Sequence, residues 1–263
     1  MRLDADRICQ GYGSRTVLED ITFSAESGEV VALLGPNGSG KSTLIRTICG
    51  IMDPRSGTVS IDGVPITDID TTDLSKLISY VPQSVSAGVF TTVMDTVLLG
   101  RRPYVTWSYR EKDIDIAIES MERMRVGGYS DRNVSDLSGG QRQRVFLARS
   151  LAQCPSFFIF DEPTSALDLK HQMNTMITMG DIVHNLKAGM IIALHDINLA
   201  LNYSDKVLMI KDRRTYAFGR PEEVITEQSI RDVYGVESRI VESEEGRFIL
   251  PLRPFDSGAG DDR

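Results

Sequence analysis

Val30-Val31-Ala32-Leu33-Leu34-Gly35-Pro36-Asn37-Gly38-Ser39-Gly40-Lys41-Ser42-Thr43 is the stretch from which the rest of the chain is read. Five apolar residues without alternation have the length and composition of a strand buried on both faces. A Gly-x-x-x-x-Gly-Lys-Ser loop follows, and Ser42 to Ile51 reads as a helix. Strand, glycine-rich turn and helix form the setting in which this spacing points to phosphate binding. The glycines let the backbone bend around a phosphate with its N–H groups turned inward, and the helix N-terminus adds partial positive charge. Lys41 supplies a full charge, and the Ser42 hydroxyl is suited to Mg²⁺. A plain glycine-rich turn is the competing reading, and the strand and helix on either side argue against it.

Working outward, a second apolar run, Phe157-Phe158-Ile159-Phe160, ends in Asp161 and Glu162. A buried strand of this kind delivers Asp161 to the carboxyl edge of a parallel sheet, where open α/β folds bind ligands. There Asp161 can hold Mg²⁺ through water, and Glu162, alternating to the other side, can polarise an attacking water. Alone, the pair is as well read as a strand running out into solvent. Further strands are expected at Arg7–Tyr12, Thr16–Ser24, Ser56–Gly63, Leu77–Pro82, Met190–Leu194 and Val207–Ile210. From Thr92 to Cys154 the apolar spacing turns helical, as at Val145, Leu147, Ala148 and Leu151. The pattern is a parallel α/β core interrupted by a helical insertion.

Composition sets the outer limits. The chain has 263 residues, enough for a full α/β core, with 41% hydrophobic and 25% charged residues. A net charge of −8 leans against nucleic acid as a partner, since phosphate-backbone binding calls for a basic excess. Cys9, Cys49 and Cys154 are widely spaced and read as buried, reduced thiols. The N-terminus lacks the form of a signal peptide, and no apolar run approaches the roughly 20 residues a membrane helix needs. The expectation is a soluble chain that serves a membrane, if at all, from its surface.

Leu137-Ser138-Gly139-Gly140-Gln141 has no evident task within its own chain. Together with the phosphate loop and the Asp161-Glu162 strand, it closely resembles the signature sequence of the ATP-binding-cassette ATPases, a likeness that runs from about residue 2 to about residue 250. The other family elements follow in order. Tyr12 stands where an aromatic stacks on adenine, Gln83 where the Q-loop glutamine meets Mg²⁺, Ser165-Ala166-Leu167-Asp168 at the D-loop, and His195 at the switch histidine. The resemblance implies a phosphate-loop, RecA-like parallel-sheet core with an N-terminal antiparallel β subdomain. Residues 1–85 and 155–220 would form the core with that subdomain, 86–154 a helical subdomain, and 221–263 a C-terminal extension. A hairpin is expected near Gly246, and the tail 256–263 is expected to be disordered.

The implied cofactors are ATP and Mg²⁺. Lys41, Glu162 and His195 would be catalytic, and Ser42, Gln83 and Asp161 would hold the metal. Nucleotide contacts would come from Tyr12, Gly35, Pro36, Asn37, Gly38, Ser39, Gly40, Lys41, Ser42 and Thr43. Ser138, Gly139, Gly140, Gln141 and Asp168 would contact the nucleotide held by a second, head-to-tail copy. Plainer alternatives stand beside these: Tyr12 as a strand aromatic, Asp168 as a helix cap, and His171 and His184 as surface helix residues. Within the family, Leu99-Gly100-Arg101-Arg102-Pro103-Tyr104 and His195-Asp196-Ile197-Asn198 resemble ATPase subunits of importers for iron-siderophore, haem and cobalamin-type complexes. Partners would then be integral membrane permease subunits, docked beside the Q-loop after Gln83, and indirectly a substrate-binding protein. The place of action would be the cytoplasmic face of the membrane. A soluble cassette ATPase for DNA maintenance or translation fits less well, because the stretch from Gln83 to Ser138 is short and the charge acidic. Intact Lys41, Glu162 and His195 speak against a module that only binds ATP.

Overall fold

The strand Val30–Leu34 lies inside a six-stranded sheet. The computed structural model describes residues 1–83, 91–164, 167–244 and 246–255. Across the sheet the strands run Arg214–Gly219, Lys206–Lys211, Val30–Leu34, Gly189–Ala193, Phe157–Asp161 and Ile78–Val81. All neighbours pair in parallel except Arg214–Gly219, which returns antiparallel to Lys206–Lys211. The expected parallel sheet is thus a mixed one with an antiparallel edge. A second sheet joins Arg15–Glu26, Arg2–Tyr12, Ser56–Ile61 and Val64–Pro65, all antiparallel.

Strand alternation sends successive side chains to opposite faces, and the two faces make two cores. Val31, Leu33, Ile159, Ile191 and Leu208 pack with Leu44, Ile45 and Ile48 of the helix Lys41–Ile48 and with the second sheet through Leu3, Ile8 and Ile21. Ala32, Leu34, Phe158, Phe160 and Ile192 face the other way, into a core shared with the helical insertion and the helix Leu169–Leu186. The core strands therefore read as continuous apolar runs.

The insertion gathers the helices Val93–Leu98, Glu111–Arg123 and Gly139–Ala152. An ion pair with almost no solvent exposure braces it: Arg101 Nε lies 3.0 Å from Asp113 Oδ1, and Arg101 Nη1 donates to the Ala152 carbonyl at 2.9 Å. Burial works to raise the Asp113 carboxyl, but the Arg110 backbone N–H and the Arg101 guanidinium outweigh it and hold it below the usual carboxylate range. The C-terminal part adds the helix Glu227–Tyr234 and a hairpin of Val236–Ser243 with Gly246–Pro254, turning where the sequence places it. Cys9 and Cys49 are half-buried and Cys154 is exposed, so the expectation of three buried thiols does not hold. Among the described residues no helix is long and apolar enough to cross a membrane. The expectation for the tail 256–263 falls outside the described residues.

Candidate active site

The phosphate loop leaves the central strand at Gly35, where a side chain would lie 2.6 Å from the Ile210 carbonyl of the neighbouring strand. It closes at Gly40, whose φ of 103° and contact with Leu18 exclude a Cβ and which caps the helix beginning at Lys41. Lys41 is buried, and its Nζ donates to the Gly35 carbonyl at 2.8 Å and the Pro36 carbonyl at 3.3 Å. Burial pushes its ammonium down, while Glu162 and Asp161 pull it back up. The Ser39 hydroxyl oxygen is buried with no hydrogen-bond partner, as fits a loop built around an acceptor-rich ligand.

Asp161 ends its strand almost fully buried, accepting a hydrogen bond from Ser42 Oγ at 3.1 Å. Burial raises its carboxyl; the Ser42 hydrogen bond opposes the shift and the Glu162 charge adds to it. Glu162 does not continue the alternation. Its φ of 54° takes the chain out of the strand, and its Oε2 accepts from Gln83 Nε2 at 2.5 Å and lies 2.6 Å from His195 Nε2. Residues 79 positions apart and on three different strand ends thus converge on one carboxylate. The donor set suits Mg²⁺: a hydroxyl, a buried carboxylate and an amide oxygen are hard ligands, and Mg²⁺ keeps waters and phosphate oxygens for its other positions. Among the described residues no group of three or more His, Cys, Asp or Glu side chains is placed to hold a metal by itself.

A cavity of about 580 Å³ joins these parts. Tyr12, Asn37 to Thr43, Gln83, Glu162 and His195 line it, together with Arg15 and Val17. Tyr12 is half exposed, and its hydroxyl accepts from Arg46 Nη1 at 3.5 Å, so the helix after the loop also orients the aromatic. Gly35, Pro36 and Asp161 do not line it; the carbonyls of Gly35 and Pro36 instead hold the Lys41 ammonium.

Ser138, Gly139, Gly140, Gln141 and Asp168 are not in that cavity. They line another, of about 480 Å³, with Arg144, Leu167 and His171. Ser138 caps the helix Gly139–Ala152: its Oγ accepts from Gln141 N, and Gln141 Oε1 accepts from Ser138 N at 3.0 Å. Gln141 Nε2 further donates to the Tyr129 hydroxyl at 3.1 Å, so its side chain shapes the helix start. Asp168 caps the helix Leu169–Leu186 and holds His171 Nδ1 at 2.7 Å. His171 is an exposed helix residue, as the sequence suggests, and it also lines this cavity. A cap aspartate followed three residues on by histidine was the available signal. Arg15, Arg46 and Arg144 carried none. Of the D-loop, Ser165 and Ala166 lie outside the described residues, as does the docking region at 84–90. Tyr104 and Trp107 are exposed, Trp107 almost completely.

Comparison with known proteins adds an independent line. The sequence profile of the ABC transporter family matches residues 18–165. An uncharacterized ABC transporter ATP-binding protein of Methanocaldococcus jannaschii is 42% identical, over 96% of this chain and 98% of its own length. The hemin import ATP-binding protein HmuV of Hahella chejuensis is 38% identical, over 86% of this chain and 90% of its own. The "Probable siderophore transport system ATP-binding protein YusV" of Bacillus subtilis is 34% identical, over 95% and 91%. Among solved structures, an inward-facing ABC transporter described as metal-chelate type shares the fold at a TM-score of 0.83 over 97% of this chain and 98% of its own, at 24% identity. A dimeric bacterial ABC transporter cassette matches at a TM-score of 0.76 and 27% identity, over 83% of this chain and 98% of its own.

Proposed function

The chain belongs to the ABC transporter family as an ATP-binding, ATP-hydrolysing subunit, and from that premise we propose that it powers uptake of a metal chelate of the iron-siderophore, haem or cobalamin kind. It would do so through separate membrane permease subunits, at the cytoplasmic face of the membrane, by closing head to tail on a second copy around two ATP molecules. The observation that carries this reading is the division of the expected nucleotide contacts between two cavities of one chain.

In the proposed site the loop N–H groups and Lys41 hold the phosphates, with Tyr12 against the adenine. Ser42, Asp161 and Gln83 would hold Mg²⁺, which when bound offsets phosphate charge. Glu162 orients a water for in-line attack on the γ-phosphorus and takes its proton as the bond to the β-phosphate oxygen breaks. His195, already 2.6 Å from Glu162, contacts the γ-phosphate. Ser138, Gly139 and Gly140 present the start of a 14-residue helix to the γ-phosphate held by the other copy. Asp168 would lie at the seam. Support for the cargo class comes from the relatives named for hemin import and siderophore transport.

Glu162→Gln tests the core of this. The variant should bind ATP, lose about a thousandfold in turnover and run as an ATP-dependent dimer on size-exclusion chromatography. Turnover at the parental rate would remove Glu162 from its role.

A further inference from the structure

The hydrolytic reading gives the C-terminal hairpin no task, yet that hairpin grips the element on which His195 is mounted. His195 follows the buried strand Gly189–Ala193 and precedes the helix Ile197–Tyr203. Seven residues are too few for a helix to be stable in water, so its direction must be set by what it packs on. Asp196 caps it, accepting from Asn198 N at 2.8 Å and Leu199 N at 3.2 Å. Leu199 and Ala200 fix one face in the core.

The other face is held by side-chain amides. Asn198 Nδ2 donates to the Ile249 carbonyl at 3.2 Å, and Asn198 Oδ1 accepts from the Ile249 N–H at 2.7 Å. One turn on, Asn202 Nδ2 donates to the Arg247 carbonyl at 3.1 Å. Four residues of helix rise about 6 Å, and two residues of strand advance about 6.8 Å. The two asparagines therefore meet successive outward-facing positions of the strand Gly246–Pro254, whose other edge pairs with Val236–Ser243. They stand where a third strand would, and they satisfy an edge that would otherwise be open.

We propose that Asn198 is a positioning residue for ATP hydrolysis: by clamping the helix to the hairpin, it fixes the His195 imidazole against Glu162. The proposal rests on the role given to His195 above. Asn198 itself touches neither nucleotide cavity. Its two bonds act on the backbone three residues beyond the histidine, with the Asp196 cap between them as the rigid link.

The test is steady-state hydrolysis by the full chain carrying Asn198→Leu, His195→Ala, or both. Asn198→Leu keeps the size of the side chain and removes both bonds to Ile249. It should lower kcat about tenfold and leave the KM for ATP within about twofold. The double variant should be no slower than His195→Ala, because the clamp acts only through the histidine. Asn198→Asp, which keeps the acceptor for the Ile249 N–H, should recover part of the loss. Unchanged kcat in Asn198→Leu would overturn the proposal, as would losses that multiply in the double variant, which is the mark of a general stability effect. Parental turnover by His195→Ala is a separate result, and it would sink the reading of His195 beneath the proposal. If Asn198→Leu does not fold, Asn198→Ser takes its place in the same cycle with the same expectations.

Discussion

The cavity around the phosphate loop and the cavity around Ser138 are of similar size and differ in chemistry. The first is lined by a buried cation, a carboxylate, an amide and an imidazole, with Asp161 behind it bonded to Ser42, and Lys41, Asp161 and Glu162 are all largely removed from water. The second offers a capped helix start, Arg144, and an aspartate already engaged by His171. In the proposed function the first would break a phosphoanhydride bond and the second would recognise an anion. In that reading these are two half-sites of one chain, and turnover would need a second molecule, turned so that each half meets the other kind.

Each cavity can be broken on its own. Lys41→Ala should abolish turnover to below about one part in a hundred and weaken ATP binding, as removal of a buried phosphate-binding charge does; isothermal titration and a phosphate-release assay check both. Ser138→Arg fills the second cavity. It should cost about a hundredfold in turnover while ATP binding to the isolated chain stays within about twofold. That contrast separates chemistry from recognition, and equal loss of binding in both variants would erase it. Tyr12→Ala should raise the ATP dissociation constant about tenfold, with Tyr12→Phe close to the parent, because stacking uses the ring face and not the hydroxyl.

The last effect is on stability alone and concerns the insertion on which the second cavity is built. Asp113→Asn should cost about 3 kcal/mol of stability by leaving Arg101 buried without its counter-charge, with ATP affinity unchanged. The pH dependence carries a sign. The folded Asp113 carboxyl titrates below its unfolded value, so its stabilisation is complete above about pH 4 and fades as pH falls through the lower folded value. Melting curves of Asp113→Asn should accordingly fall less steeply than the parent's below about pH 4.

What could be read from the sequence follows the distance over which each feature is built. The phosphate loop is contiguous, so strand, glycines, lysine and helix announce one another, and the structure departs from that reading only at the helix bounds, Lys41–Ile48 in place of Ser42 to Ile51. The sheet core was legible for a similar reason: its strands are apolar on both faces. The helix Leu169–Leu186 had its stripe at Thr175, Met176, Met179, Ile182 and Val183, but exposed Met173, Ile177 and Leu186 blur it. Glu162 could not be placed by alternation, because its positive φ ends the strand's period. The grip of Asn198 on Ile249 spans 51 residues and uses backbone groups, which no residue pattern records.

The central claim is that one chain carries two incompatible halves of a shared site, and mixing two dead variants tests it most directly. In a head-to-tail pair of Lys41→Ala with Ser138→Arg, both defects fall in one site and the other is intact. The account predicts that each variant alone is inactive and that an equal mixture recovers about a quarter of parental ATP hydrolysis, from half the pairs with one working site each. A mixture no faster than the sum of its parts would contradict it.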